Sequence, residues 1–151
     1  MPIKKPSLLP PVYLLLYLLL AAGLHFIFPV AQLVHAPYNY SGILLLGIGI
    51  GLNIWADSLF KKTKTTVKPS KRSSALILHG PFRFSRHPMY LGMVISLFGI
   101  AILLGSLAAF VAPIAFFATV SLIFIPHEEK AMENVFGKKY LDYKKRVRCW
   151  L

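Results

Sequence analysis

Acid and cysteine are the scarce residues in this sequence. Its 151 residues include 5 Asp+Glu against 17 Lys+Arg, and one cysteine, Cys149. A single cysteine excludes an internal disulfide and any metal site built on several thiolates, so no metal is expected. Cys149 stands third from the last residue rather than fourth, so Cys149-Trp150-Leu151 is not a prenylation box. Lysine and arginine are themselves missing from residues 30–38 and from Gly105-Ser106. The formal net charge is +12, which in a soluble chain would point to nucleic acid. Here the basic residues cluster between apolar runs, no soluble basic domain remains, and nucleic acid is not an expected partner.

What is abundant is apolar. Hydrophobic residues make up 56% of the chain and mean hydropathy is +0.63. A chain of one-domain length cannot bury that much apolar surface in its own core, so lipid is the expected solvent. A membrane-crossing helix needs about 20 mostly apolar residues. Four stretches meet or approach this, at residues 9–28, 40–60, 88–104 and 107–125. Lys4 and Lys5 before the first run resemble a signal peptide, but the run continues to Val34, which favours a retained span. Only Gly105 and Ser106 separate the last two stretches, so these should form a tight antiparallel hairpin. Basic residues occur at Lys4 and Lys5, between Lys61 and Arg86, and from Lys130 to Arg148. The positive-inside rule then places both termini, a loop at 61–87 and a tail at 126–151 in the cytoplasm, facing anionic lipid headgroups. The expected fold is a single all-α integral membrane domain with four transmembrane helices, the expected location a prokaryotic inner membrane.

Inside the second span, Gly47 and Gly51 stand four apart and should let another helix approach closely. Asp57 is either an interfacial cap or a polar pocket wall. Pro113 should kink the fourth span. His25 and Gln32 read as helix–helix hydrogen bonders. Beyond the fourth span, Met132, Phe136, Tyr140, Tyr143 and Val147 repeat at helical spacing and form the stripe of an amphipathic interfacial helix, with an interruption expected at Gly137.

The polar stretch HGPFRFSRHPMYLG, residues 79–92, is out of character with its surroundings. Pro88 suits the first turn of the third span and holds His87 extended. Arg86 and His87 thus sit at a helix N-terminus, where free N–H groups favour an anion. Tyr90 lies one turn further in, and Gly92 leaves room for a ligand or a helix. A hairpin would return His127, Glu128 and Glu129 to the same face, so that acids and arginines meet. The plainer reading of that cluster is an ion-pair clamp that pins the tail helix.

GPFRFSRHPMYLG, followed after a helical hairpin by EEKAMENVFGKKYLDYKKRV, resembles the isoprenylcysteine carboxyl methyltransferase group of integral membrane enzymes. The resemblance rests on Gly80, Phe82, Arg86, His87, Pro88, Tyr90 and Gly92, then on Glu128, Glu129, Phe136, Gly137, Tyr140, Tyr143 and Val147. It covers roughly the last half of the chain and extends more loosely to phospholipid N-methyltransferases. It implies S-adenosyl-L-methionine as cofactor, held by His87, Tyr90, Gly92, Glu128 and Glu129. It also implies catalytic roles for Arg86 and Glu129, and a lipophilic or small methyl acceptor. Ile125, Pro126 and His127 stand where that group often has a basic residue before its glutamates.

Two other readings compete. Membrane sterol reductases share a similar Arg-His-Pro-x-Tyr motif for NADPH, but usually carry an acid where this chain has Met93. A non-enzymatic membrane scaffold would leave the polar cluster as a clamp and bind neither cofactor.

Overall fold

The computed structural model describes residues 9–28, 30–63 and 75–151; Lys4, Lys5 and most of the basic loop lie outside these. Among the described residues the architecture is all-helical, with one isolated antiparallel bridge between Gln32 and Ser106. Helix α1 is Pro10–Ile27, α2 Ser41–Lys62, α3 Pro88–Leu104, α4 Val111–Thr119, α5 Ile125–Phe136 and α6 Lys138–Arg146. Prolines open α1 and α3, where a missing N–H forfeits no helical bond. Helix α3 stops at Gly105, whose φ of +74° is left-handed and whose N–H still reaches the Ala101 carbonyl.

Three helical stretches, Pro10–Ile27, Tyr38–Lys62 and Leu107–Phe136, are long and apolar enough to cross a membrane. Helix α3, at 17 residues, is a shorter apolar helix of about 26 Å. The stretch from Leu107 runs 30 residues, well beyond the roughly 20 that a bilayer needs, so its polar end after Ile125 projects past the apolar part. Pro113 falls in the first turn of α4, where proline is tolerated, and is not where the helix departs from α geometry. That departure is a π-turn at Val120–Phe124, just ahead of Pro126. A proline at 126 clashes with a regular helical carbonyl at Leu122 and donates nothing to it; the wider turn relieves both problems.

Helix α3 is central and has two working faces. Tyr90, Val94 and Leu97 form the core with Phe116, Val120 and Phe124, and Tyr13 and Tyr17 of α1 pack against them. Tyr17 also shares a 2.6 Å hydrogen bond with Thr119. The opposite face meets α2 backbone to backbone. A Cβ on Gly99 would lie 2.7 Å from the Gly42 carbonyl, and one on Gly92 2.7 Å from the Gly49 carbonyl. The expectation for Gly47 and Gly51 is therefore corrected: a Cβ on either meets nothing within 4 Å. Residues 47 and 49 differ by about 200° around the axis, so only one pair can face α3.

At the other end of α3, Leu33 N–H bonds the Gly105 carbonyl at 2.7 Å and Leu107 N–H the Ala31 carbonyl at 2.8 Å. His25 hydrogen-bonds the Ser106 hydroxyl at 2.9 Å, and Gln32 donates to the carbonyls of Val34 and Leu104. Asp57 pairs with Lys61 one turn on, at 2.6 Å.

The tail stripe breaks at Gly137, with φ +52° and ψ −126°, into α5 and α6. Its tyrosines are packed inside the protein. Tyr140 and Tyr143 are 2% and 4% exposed, and Tyr143 donates to the Phe82 carbonyl at 2.7 Å. Burial pushes the Tyr143 phenol up to about 12, against the opposing charge of Arg86. The stripe thus folds back on the polar stretch before α3.

Candidate active site

His87 occupies the position before α3, with Pro88 at the first helical residue. Its backbone N–H donates to the buried Ser85 hydroxyl at 3.1 Å. Its ring stacks on Tyr90 with centroids 5.8 Å apart and planes at 27°. Tyr90 in turn donates its hydroxyl proton to Glu128 Oε1 at 2.5 Å. His87 Nδ1 lies 3.6 Å from Glu128 Oε2, and Nε2 lies 3.5 Å from Glu129 Oε1. Burial draws the imidazole pKa down, but hydrogen bonding and charge from Glu128 and Glu129 outweigh it, and the pKa is raised.

Arg86 faces the protein. Nε and Nη2 donate to Glu129 Oε1 at 2.9 and 2.7 Å. Nη1 donates to the Lys144 and Val147 carbonyls at 3.2 and 2.7 Å, covering the open C-terminal end of α6. The other oxygen of Glu129 takes Lys144 Nζ at 2.7 Å, and Lys144 also pairs with Glu133 at 2.9 Å. Those two glutamates raise the Lys144 pKa.

The π-turn helps to aim the glutamates. One extra residue in a turn rotates the downstream helix by about 100°. Glu128 and Glu129 arrive on the α3 side, whereas the cluster's described polar contacts include none from His127. The sequence reading therefore brought together Arg86, His87, Tyr90, Glu128 and Glu129 as the structure does. Gly92 is the correction. It lies on the opposite face of α3 from Tyr90, where a Cβ would meet the Asn53 side chain and the Gly49 carbonyl, so it serves helix packing. Ser85, Lys144 and Cys149, which also lie in or beside this cluster, were not read as site residues from the sequence. Small polar residues, one lysine among many and a lone cysteine carry no local signal of a site.

His87, Glu129 and Cys149 have potential ligand atoms within 4.8 Å of one another. Both Glu129 oxygens, however, already face fixed cations, Arg86 on one and Lys144 on the other. A metal ion there would be repelled by both.

The comparisons with known proteins cover much of this cluster. A family described as phospholipid methyltransferase matches residues 38–139. The chain belongs to that family. The matched range runs from the turn before α2 into α6 and includes Arg86, His87, Tyr90, Glu128 and Glu129; Lys144, Cys149 and Trp150 lie beyond it. A protein of Arabidopsis thaliana named protein-S-isoprenylcysteine O-methyltransferase A is 36% identical over 75 residues, 48% of this chain. The chain spans 36% of that relative's length. An uncharacterized protein of Haemophilus influenzae is 35% identical over 63 residues, 42% of this chain and the whole of that protein. As a member of this membrane methyltransferase family with helices able to cross a bilayer, the chain is an integral membrane protein.

Proposed function

We propose that this protein transfers a methyl group from S-adenosyl-L-methionine to a lipophilic or small acceptor at the cytoplasmic edge of a membrane. The observation that carries the reading is the meeting of His87, Tyr90 and Glu128 at the start of α3. The stacked rings of His87 and Tyr90 offer a flat wall. Glu128, with its side chain 22% exposed, is the freer of the two glutamates and suits a hydroxyl or amino group of the donor. The N-terminus of α3 suits a carboxylate. When bound, the donor supplies a methyl carbon already activated by positive sulfur, so the protein's tasks are alignment and exclusion of water. Arg86 commits its donors to Glu129 and to backbone carbonyls, so it acts on the site by holding Glu129 rather than by touching a ligand. Glu129 keeps a fixed negative charge beside His87.

In this reading α3 is a fourth crossing that forms a hairpin with the stretch from Leu107. The basic residues outside the apolar stretches face the cytoplasm, with Lys138, Lys139, Lys145 and Arg146 of α6 exposed toward anionic headgroups. The acceptor class spans isoprenylcysteine-like carboxylates and phospholipid amines. Calorimetric titration of detergent-purified protein tests the donor. S-adenosylhomocysteine should bind and NADPH should not. The reverse pattern would favour the reductase, and silence with both would favour a scaffold.

A further inference from the structure

After α6 ends at Arg146, the chain turns extended at Val147, with φ −119° and ψ 131°. It then runs back along the residues that precede α3. Arg86 N–H donates to the Arg148 carbonyl at 3.0 Å, Arg86 Nη1 to that of Val147 at 2.7 Å, and Ser85 Oγ to that of Cys149 at 3.1 Å. The Trp150 ring lies against Phe117 of α4, centroids 4.6 Å apart and planes at 34°. Cys149 and Trp150 both pack against the core that contains Tyr90 and Phe124. The segment therefore bridges the polar start of α3 and the apolar flank of α4. It also brings the Cys149 sulfur within 4.8 Å of ligand atoms on His87 and Glu129.

We infer that Val147–Trp150 is a wall of the methyl-donor site and that Trp150 is the positioning residue that seats it, an inference that rests on the donor reading above. The groups that hold the segment are the groups that hold the site. Ser85 receives the His87 N–H and donates to Cys149, while Arg86 carries both Glu129 and the carbonyls of Val147 and Arg148. Those backbone bonds are open to any side chain at 147–150. The aromatic contact that side-chain identity decides is Trp150 on Phe117. Removing that ring frees the segment, and with it the restraint on His87 and Glu129.

Cys149 is the one cysteine in the chain, so a maleimide reports on this segment without any substitution. Burial raises its thiol pKa, so labelling of the intact protein is slow. With S-adenosylhomocysteine at about ten times its Kd, mass action predicts about a tenfold slowing of labelling by N-ethylmaleimide. Trp150→Ala should label faster and bind S-adenosylhomocysteine about tenfold more weakly, with Trp150→Phe restoring both. If the unsubstituted protein binds S-adenosylhomocysteine but Cys149 is not protected, the wall is overturned and the donor site stands. Trp150→Ala that binds and labels like the parent overturns the positioning role. No binding by the parent overturns the donor site and the wall together. The protection measurement needs no variant, so poor folding of Trp150→Ala leaves the wall testable.

Discussion

Arg86 and Glu129 meet through a single carboxylate oxygen: Nε and Nη2 of the arginine converge on Oε1, leaving Oε2 to Lys144. This is not a fork-on-fork pair. The remaining nitrogen of Arg86 is free to bind the end of α6, so one guanidinium joins α3, α5 and the tail. The side chains of Arg86 and Glu129 are only 10% and 11% exposed.

That burial changes the expected cost of substitution. An exposed pair would contribute about 0–1 kcal/mol. For Arg86→Lys, whose ammonium cannot span both Glu129 and the two carbonyls, a loss of about 1.5–3 kcal/mol is expected. Lys144 is 37% exposed, and Lys144→Met should cost no more than about 1 kcal/mol. Thermal unfolding in detergent measures both. Equal, small shifts would mean that Arg86 does not organise the tail.

The site should loosen as pH rises. His87 has its pKa raised above 6.5 by Glu128 and Glu129 despite burial, so the folded state binds that proton more tightly than the unfolded chain. Stability from this source is full below pH 6.5 and is lost as pH climbs through the folded value. The Tm gap between the parent and His87→Asn should be widest in acid and should narrow toward alkaline pH. A gap that widens with pH would reverse the assignment.

The glycines of α2 and α3 should divide sharply. In Gly99→Ala the new methyl would lie 2.7 Å from the Gly42 carbonyl and from Leu46 N, so the helices must part. A cost of about 1–3 kcal/mol is expected from overpacking. Gly47→Ala meets open space and should be neutral, or gain up to about 1 kcal/mol of helix propensity. Melting curves in detergent would show it, and equal losses would refute the α2–α3 contact.

If α3 is a fourth crossing, as proposed above, Tyr38 and Lys145 lie on opposite sides of the membrane. Both are exposed. In a Cys149→Ser background, Tyr38→Cys should react with an impermeant maleimide only from outside, and Lys145→Cys only from the cytoplasmic side. Reaction of both from one side would eliminate that topology.

Much of the polar cluster was legible in the sequence because its parts carry strong local signals. A proline before an apolar run marks a helix start, so Arg86 and His87 could be placed at one. A glutamate pair after a long apolar run is rare enough to demand a partner. What stayed hidden was how the groups share their bonds. Nothing local distinguishes Lys144 from Lys145, yet only Lys144 lies on the inner side of α6 and reaches Glu129. The tail stripe was found as a periodicity and assigned to the membrane surface, because spacing does not say what a face will touch. Tyr143 touches the Phe82 carbonyl instead.

By itself the sequence determined where the apolar runs lie, that basic residues gather at and beyond their edges, and that polar motifs stand at two of their ends. These are local properties, set by hydropathy over a turn or two and by residues such as Pro88 and Gly105. Only the tertiary structure decided rotation about each helix axis and who meets whom. Helical spacing allows Gly47 and Gly51 as readily as Gly42 and Gly49, and it was close backbone contact with α3 that chose the second pair. It placed Gly92 against α2 and Tyr90 against Glu128, from opposite faces of one helix. The return of Trp150 onto Phe117 was decided in the same way. A helix's periodicity relates its own faces to one another, but packing against its neighbours sets which face looks inward.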